Sequence, residues 1–201
     1  ENIPFVPMIG DMKSIKDFSN TKQYANVLLF NEPDGKVNNI SPEKAAIITK
    51  HFLKYTQSNR LVSPAPQNPW NNWLPEYFHT LNDPSMDKIK VIAMHWYGKP
   101  DLETFKRNIQ EIHTKYRRDI WVTEFGAVTD CRDDKASNDA TVKVFLKGAL
   151  KFLNDTPYIE KYSWFSPKNA KAYGCSLSSD MLFDDTGNLT SLGKVYAQVG
   201  D

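Results

Sequence analysis

Six short apolar runs alternate with stretches of helical periodicity along the chain, and this rhythm constrains the fold more than any other feature. The runs are Phe5 to Ile9, Val27 to Asn31, Leu61 to Ser63, Val91 to Tyr97, Ile120 to Phe125 and Tyr162 to Phe165. Between them, Ser41-Pro42-Glu43 reads as a helix start, with a serine cap, proline in the first turn and an acid facing the helix dipole. Ala45, Ile48, Phe52 and Tyr55 then share one face. Leu74, Tyr77, Phe78 and Leu81 make a shorter stripe. Leu102, Phe105, Ile109, Ile112 and Tyr116 repeat at steps of three and four after Asp101, a natural cap, and Val142, Phe145, Leu146, Ala149, Leu150 and Leu153 do the same. Strand and helix in strict alternation mean a parallel α/β fold. No repeat, low-complexity segment or linker interrupts residues 1–201, so a single domain is expected.

Open doubly wound sheets and closed βα barrels share this alternation. No Gly-rich turn of the dinucleotide-binding or P-loop kind follows any run, which removes the usual reason to prefer the open sheet. Two of the runs end in a carboxylate: Leu29-Phe30-Asn31-Glu32-Pro33 and Val122-Thr123-Glu124-Phe125. A parallel barrel presents its reactive groups at the C-terminal ends of its strands. Two carboxylates converging there can cleave a glycosidic bond, one moving a proton and the other attacking the sugar carbon. Ala93-Met94-His95-Trp96-Tyr97-Gly98 adds an imidazole and a phenol at a third strand end. Strand alternation puts His95 and Tyr97 on one face and Trp96 on the other. No His or Cys pair has metal-ligand spacing and no Gly-x-Ser-x-Gly elbow occurs, so zinc and serine hydrolases are disfavoured.

Charge is nearly balanced, at +1, with both signs interspersed, so no basic footprint for nucleic acid is present. No apolar run is long enough to span a bilayer and no membrane partner is expected. Among the aromatics, Trp70, Trp73, Trp96, Trp121 and Trp164 lie in or beside loops and strand ends, where flat apolar faces suit sugar rings. Two cysteines and the acceptor sequence Asn188-Leu189-Thr190 lean toward secretion to the cell wall or beyond it. Asn39 and Asn154 also fit the acceptor pattern, but each of those sequons is followed by proline, which discourages modification.

Phe5-Val6-Pro7-Met8, Asn31-Glu32-Pro33-Asp34, Leu61-Val62-Ser63-Pro64-Ala65, His95-Trp96-Tyr97, Trp121-Val122-Thr123-Glu124-Phe125 and Tyr162-Ser163-Trp164-Phe165 resemble, in order and spacing, the strand motifs of glycoside hydrolase family 128. These are alkali-sensitive-linkage-type cell-wall endo-β-1,3-glucanases of the clan A barrel hydrolases. Leu182 to Tyr196 resembles the entry to the family's closing helix. The resemblance implies a (β/α)8 TIM-type barrel, a β-1,3-glucan substrate and no cofactor or metal. It implies Glu32 as acid/base, Glu124 as nucleophile and Asn31 on the hydroxyl beside the reacting carbon. His95 and Tyr97 would flank the glutamates, and Trp164 would floor a sugar subsite.

On this resemblance Phe5 to Ile9 is barrel strand three, and Glu32 and Glu124 fall on strands four and seven. Strands one and two have no counterpart, so an incomplete or shortened barrel is expected. An N-terminal segment, another chain or a rebuilt fold would complete it. The retaining mechanism calls for carboxyls about 5 Å apart. Trp70 or Trp73 should extend the aromatic platform. Trp96 should pack outward, and Trp121, three residues before Glu124, should face the helices. Cys131 and Cys175 follow the motifs of strands seven and eight, so adjacent loops should carry a disulfide. A non-catalytic glucan-binding or structural surface protein on a degenerate hydrolase scaffold is the alternative, a different β-glycanase of the same clan is a third reading, and reducing-end release from laminarin, xylan and cellulose separates all three.

Overall fold

The computed structural model describes residues 5–17, 24–54, 56, 60–82, 84–168 and 174–198. Six strands, β1 (Met8–Ile9), β2 (Val27–Leu29), β3 (Leu61–Val62), β4 (Ile89–Gly98), β5 (Asp119–Ala127) and β6 (Ile159–Trp164), form one sheet in chain order. Helices α1 (Met12–Asp17), α2 (Pro42–Leu53), α3 (Trp73–Leu81), α4 (Leu102–Tyr116), α5 (Lys135–Asp155) and α6 (Ser191–Ala197) alternate with them, and a 3-10 helix spans Cys175–Asp180. The class is α/β with a parallel sheet: Met8 pairs with Leu28, Val27 with Leu61 and Leu61 with Ile89, all parallel. Six strands are the number expected for strands three to eight of a barrel. Among the described residues no helix is long and apolar enough to cross a membrane.

The chain packs as two compact units, Glu1–His95 with Tyr116–Trp121, and Trp96–Lys115 with Val122–Asp201. Neither is a continuous stretch of sequence, since β4 and β5 each run through both. That is why no linker or change of composition betrays the division.

In the first unit, Ser41 caps α2 by accepting a hydrogen bond from the Lys44 amide at 3.3 Å, with Pro42 opening the helix. Its buried face is Ala45, Ile48, Thr49 and Phe52, while Tyr55 lies outside the described residues. Tyr77 on α3 is wholly buried and donates to Thr49 Oγ1 at 2.9 Å, joining the two helices. Burial pushes the Tyr77 phenol well above its ordinary range. The short formal lengths of β1, β2 and β3 understate the ladder. Phe30 N donates to Ile9 O, Ala65 N to Phe30 O and Glu32 N to Ala65 O, at 2.8–3.0 Å, so parallel pairing continues to Glu32. β3 meets β4 with a one-residue register shift, Leu61 opposite Ile89 but Val62 opposite Val91. The buried Ser63 hydroxyl takes the Ala93 amide beyond that irregularity, at 3.0 Å.

Trp121 corrects the parity argument. It is core, 3% exposed, but it clusters with Val62, Ala65, Val91 and Ala93 on the sheet rather than against the helices.

In the second unit, Trp96 stacks on Phe145 of α5 and meets Phe105 of α4 edge-on, and its Nε1 donates to Asn108 Oδ1. It therefore packs toward the helices, as strand alternation requires. Phe105, Phe125, Phe145 and Trp164 continue this aromatic core. Asp101 caps α4, Asp134 caps α5 through the Ser137 amide, and Thr190 caps α6 through the Gly193 amide. Cys131 and Cys175 form a disulfide with Cα atoms 5.4 Å apart.

Candidate active site

Glu32 stands one residue beyond Asn31 at the end of the β2 ladder, in a backbone conformation that side-chain-bearing residues seldom take: its φ is +42°. Such a conformation costs of order 1–3 kcal/mol and persists only where the surroundings over-determine it. Here Ala65 accepts the Glu32 amide, the Glu32 carbonyl accepts the Gly35 amide at 3.0 Å, and Asn38 Nδ2 donates to the Asn31 carbonyl at 2.7 Å. The carboxyl, about a quarter exposed, reaches His95, whose Nδ1 lies 3.0 Å from Glu32 Oε1. The imidazole is buried to 1% exposure. With Glu32 ionised, Nδ1–H is the donor, which fixes both the ring and the carboxylate.

Asp34, two residues on, organises the loop after β3. Its carboxylate accepts from the Gln67 amide at 2.6 Å, the Asn68 amide at 3.1 Å and Asn71 Nδ2 at 2.8 Å. This loop carries Trp70 and leads into Trp73. Trp70 is 42% exposed. Trp73 is 7% exposed, stacks on Tyr77 and donates Nε1–H to the Ile40 carbonyl, so its ring is spent on the core.

In the second unit Tyr97 donates its hydroxyl proton to Glu124 Oε2 at 2.7 Å. Both side chains are half-buried. The phenol thereby fixes the orientation of that carboxylate oxygen. Two residues on, Gly126 is enclosed: a Cβ there would lie 2.7 Å from Asp180 Oδ2 and 3.2 Å from Tyr97 Cε1. Asp180 is fully buried, and its Oδ2 accepts from the Ala127 amide at 2.8 Å. Loss of water pushes its carboxyl up to about 8, only partly opposed by that hydrogen bond. Burial thus favours the protonated form of Asp180.

Trp164 is 4% exposed, packs edge-on against Phe125 and donates Nε1–H to the Asp180 carbonyl at 2.8 Å. A ring so covered offers no open face to a sugar, and this corrects the expectation of a stacking floor. The burial of Trp73 corrects its place on the aromatic platform in the same way.

Each glutamate is thus served by one residue of β4, Glu32 by His95 and Glu124 by Tyr97. Asp34 and Asp180 escaped sequence reasoning. Asp34 sits in a turn-like Pro-Asp-Gly, and Asp180 in Ser-Ser-Asp, where an acid reads as surface. For Asp34 the signal was its place two residues after a strand-end glutamate. Asp180 carried none.

The chain matches the glycosyl hydrolase catalytic core family over residues 1–196. It is 33% identical over 179 residues to the alkali-sensitive linkage protein 1 of Schizosaccharomyces pombe, covering 86% of this chain and 32% of that protein. The chain thus spans about a third of the length of this curated relative. It superposes on a subgroup V exo-β-1,3-glucanase of glycoside hydrolase family 128 from Cryptococcus neoformans, with a TM-score of 0.82, 27% identity, and coverage of 98% of this chain and 78% of that one. A subgroup I endo-β-1,3-glucanase of the same family from Amycolatopsis mediterranei, crystallised with laminaripentaose, shares the fold at a TM-score of 0.76 and 24% identity, with coverage of 98% and 82%.

Proposed function

Because the chain belongs to the glycosyl hydrolase catalytic core family, within glycoside hydrolase family 128, we propose that it is a retaining hydrolase of β-1,3-glucan, with Glu32 as acid/base and Glu124 as nucleophile. The observation that carries this is the pairing of each strand-end glutamate with its own β4 residue, His95 at 3.0 Å and Tyr97 at 2.7 Å. Carboxylates kept only for stability are not commonly given dedicated partners at the ends of parallel strands, where this class of fold places its chemistry.

In the first step Glu124 attacks the anomeric carbon while the Glu32 proton passes to the departing glucosyl oxygen, leaving a glycosyl–Glu124 ester. In the second, Glu32 takes a proton from water, the water oxygen attacks the same carbon, and Glu124 leaves as carboxylate. Two displacements retain the anomeric configuration. Asn31 holds the hydroxyl beside the reacting carbon. His95 fixes Glu32, Tyr97 fixes Glu124, and Trp70 offers its open ring to a sugar further along the chain. The substrate is outside the cell or in the wall, consistent with the disulfide. Phe5, Met8 and Met12, exposed beside β1, mark the edge to which a further segment or a second chain would add.

The test is reducing-end release from laminarin, xylan and cellulose, with the product anomer followed by proton NMR. Laminarin should be cleaved, the β anomer should appear first, and Glu124→Gln should lower kcat by about 10³ or more. Laminarin bound but not cleaved would favour the non-catalytic glucan-binding reading. Cleavage of xylan or cellulose instead would keep the mechanism and change the sugar.

A further inference from the structure

A carboxyl buried with no cation beside it is costly, and among the described residues Asp180 is such a group. Packing alone would be served more cheaply by an apolar side chain. Its Oδ2 accepts the Ala127 amide at the end of β5, its backbone carbonyl accepts Trp164 Nε1–H at the end of β6, and Oδ1 has no protein partner among the described residues. Asp180 ends the 3-10 helix Cys175–Asp180. That helix is fastened to the chain following β5 by the Cys131–Cys175 disulfide and by the Thr129 amide, which donates to the Ser176 carbonyl at 2.9 Å.

The Asp180 carboxyl and the edge of the Tyr97 ring both border the space over Gly126, where a Cβ would lie 2.7 Å from Asp180 Oδ2 and 3.2 Å from Tyr97 Cε1. The glycine has no side chain, and a Cβ there would collide with the carboxyl and crowd the ring. The carboxyl bonded to the β5 backbone at Ala127 thus borders the same space as the phenol whose proton goes to Glu124.

We propose that Asp180 is a positioning residue for Glu124: its buried carboxyl holds the end of β5 against Tyr97 and so sets the hydrogen bond that orients the glutamate. The proposal rests on the reading of Glu124 as nucleophile. A neutral acid presents one acceptor and one hydroxyl, and an amide copies that pattern, so asparagine should replace it. Alanine should not, because it leaves the buried Ala127 amide without its acceptor and Tyr97 without its backing.

The experiment compares wild type, Asp180→Asn, Asp180→Ala, Tyr97→Phe and the Asp180→Ala/Tyr97→Phe pair on laminarihexaose, together with ¹³C titration of the Glu124 carboxyl. Asp180→Ala is expected to lower kcat by about tenfold or more with KM little changed, the signature of a loss confined to the transition state. Asp180→Asn should stay within about twofold of wild type. The pair should cost little more than Tyr97→Phe alone, because residues acting through one contact are not additive. Should Asp180→Ala fail to fold, Gly126→Ala takes its place, since it pushes on the same contact with Asp180 intact, and the same kcat loss is expected.

A folded Asp180→Ala with wild-type kcat, or full additivity with Tyr97→Phe, would overturn the proposal. So would an Asp180→Asn enzyme as slow as the alanine variant. If the wild type cleaves no glucan, the functional reading fails on its own. The NMR arm still decides this one: Asp180→Ala must displace the Glu124 titration as Tyr97→Phe does, and an unmoved titration rejects it.

Discussion

Glu32 Oε1 and His95 Nδ1 lie 3.0 Å apart, joining a strained turn after β2 to the buried end of β4. The positive φ of Glu32 directs its carboxyl, and the imidazole holds it there. His95→Ala should therefore disturb both catalytic steps assigned to Glu32, lowering kcat on laminarin by about 10² with a smaller change in KM. Steady-state kinetics at several pH values measures this. A variant with unaltered kcat would remove His95 from the machinery.

Asp180 predicts an unusual dependence of stability on pH. Its carboxyl titrates at about 8 in the fold against an ordinary 3.8, so the folded chain keeps a proton that the unfolded chain releases. Between those values the native state binds more protons, and stability falls as pH rises through the window, levelling above about 8. At about 1.4 kcal/mol per unit, the full window from 3.8 to about 8 amounts to roughly 6 kcal/mol. Asp180→Asn has nothing to titrate, so it should be the more stable protein at pH 7 by a few kcal/mol, and nearly equal to wild type near pH 4. Denaturant unfolding of the two chains at pH 4, 6 and 8 checks both sign and window. A constant difference across that range would mean Asp180 does not hold its proton.

Much of this was legible in the residues. The six apolar runs mark the six strands because parallel strands buried on both faces need continuous apolar sequence. The capping residues Ser41 and Asp101 mark helix starts because a short side-chain oxygen before an amphipathic stripe has few other uses. The side that Trp121 faces was not legible, because it is set by packing against Val62, Ala65, Val91 and Ala93, which other segments of the chain supply. The left-handed turn at Glu32 was hidden for a different reason: a glutamate gives no local sign of a conformation that only its neighbours enforce. The six-residue α1 carries too little periodicity to read. Asp180 lies more than fifty residues from Ala127, and nothing local in Ser178-Ser179-Asp180 shows that the fold buries it.

Trp70 in the loop after β3 and Trp73 at the start of α3, three residues apart, should separate cleanly by experiment. Trp73 is core, so Trp73→Ala should cost about 3–5 kcal/mol of stability. Trp70, with much of its ring in solvent, should cost little stability. Trp70→Ala should instead weaken laminarihexaose binding by about tenfold, the size of one stacking contact. Calorimetric titration on a catalytically silent Glu124→Gln background, with thermal unfolding of each variant, reads the two effects separately. If Trp70→Ala binds as wild type, the aromatic platform lies elsewhere.

The disulfide closes a loop of 44 residues between Cys131 and Cys175, and on the chain-entropy account that cross-link contributes about 4 kcal/mol by restricting the unfolded chain. The Cys131→Ser/Cys175→Ser pair should accordingly unfold at a lower denaturant concentration, with a Tm lower by several degrees. A second consequence follows from where the bridge sits. Cys175 opens the 3-10 helix that ends in the buried Asp180, so loosening the helix should also loosen the backing of Tyr97. At a temperature where the serine variant remains folded, kcat on laminarin should fall severalfold while KM stays near wild type. Loss of Tm with kcat unchanged would make the bridge a staple of the unfolded state alone. Two alkylatable thiols in the native, unreduced wild type would mean that no bridge forms at all.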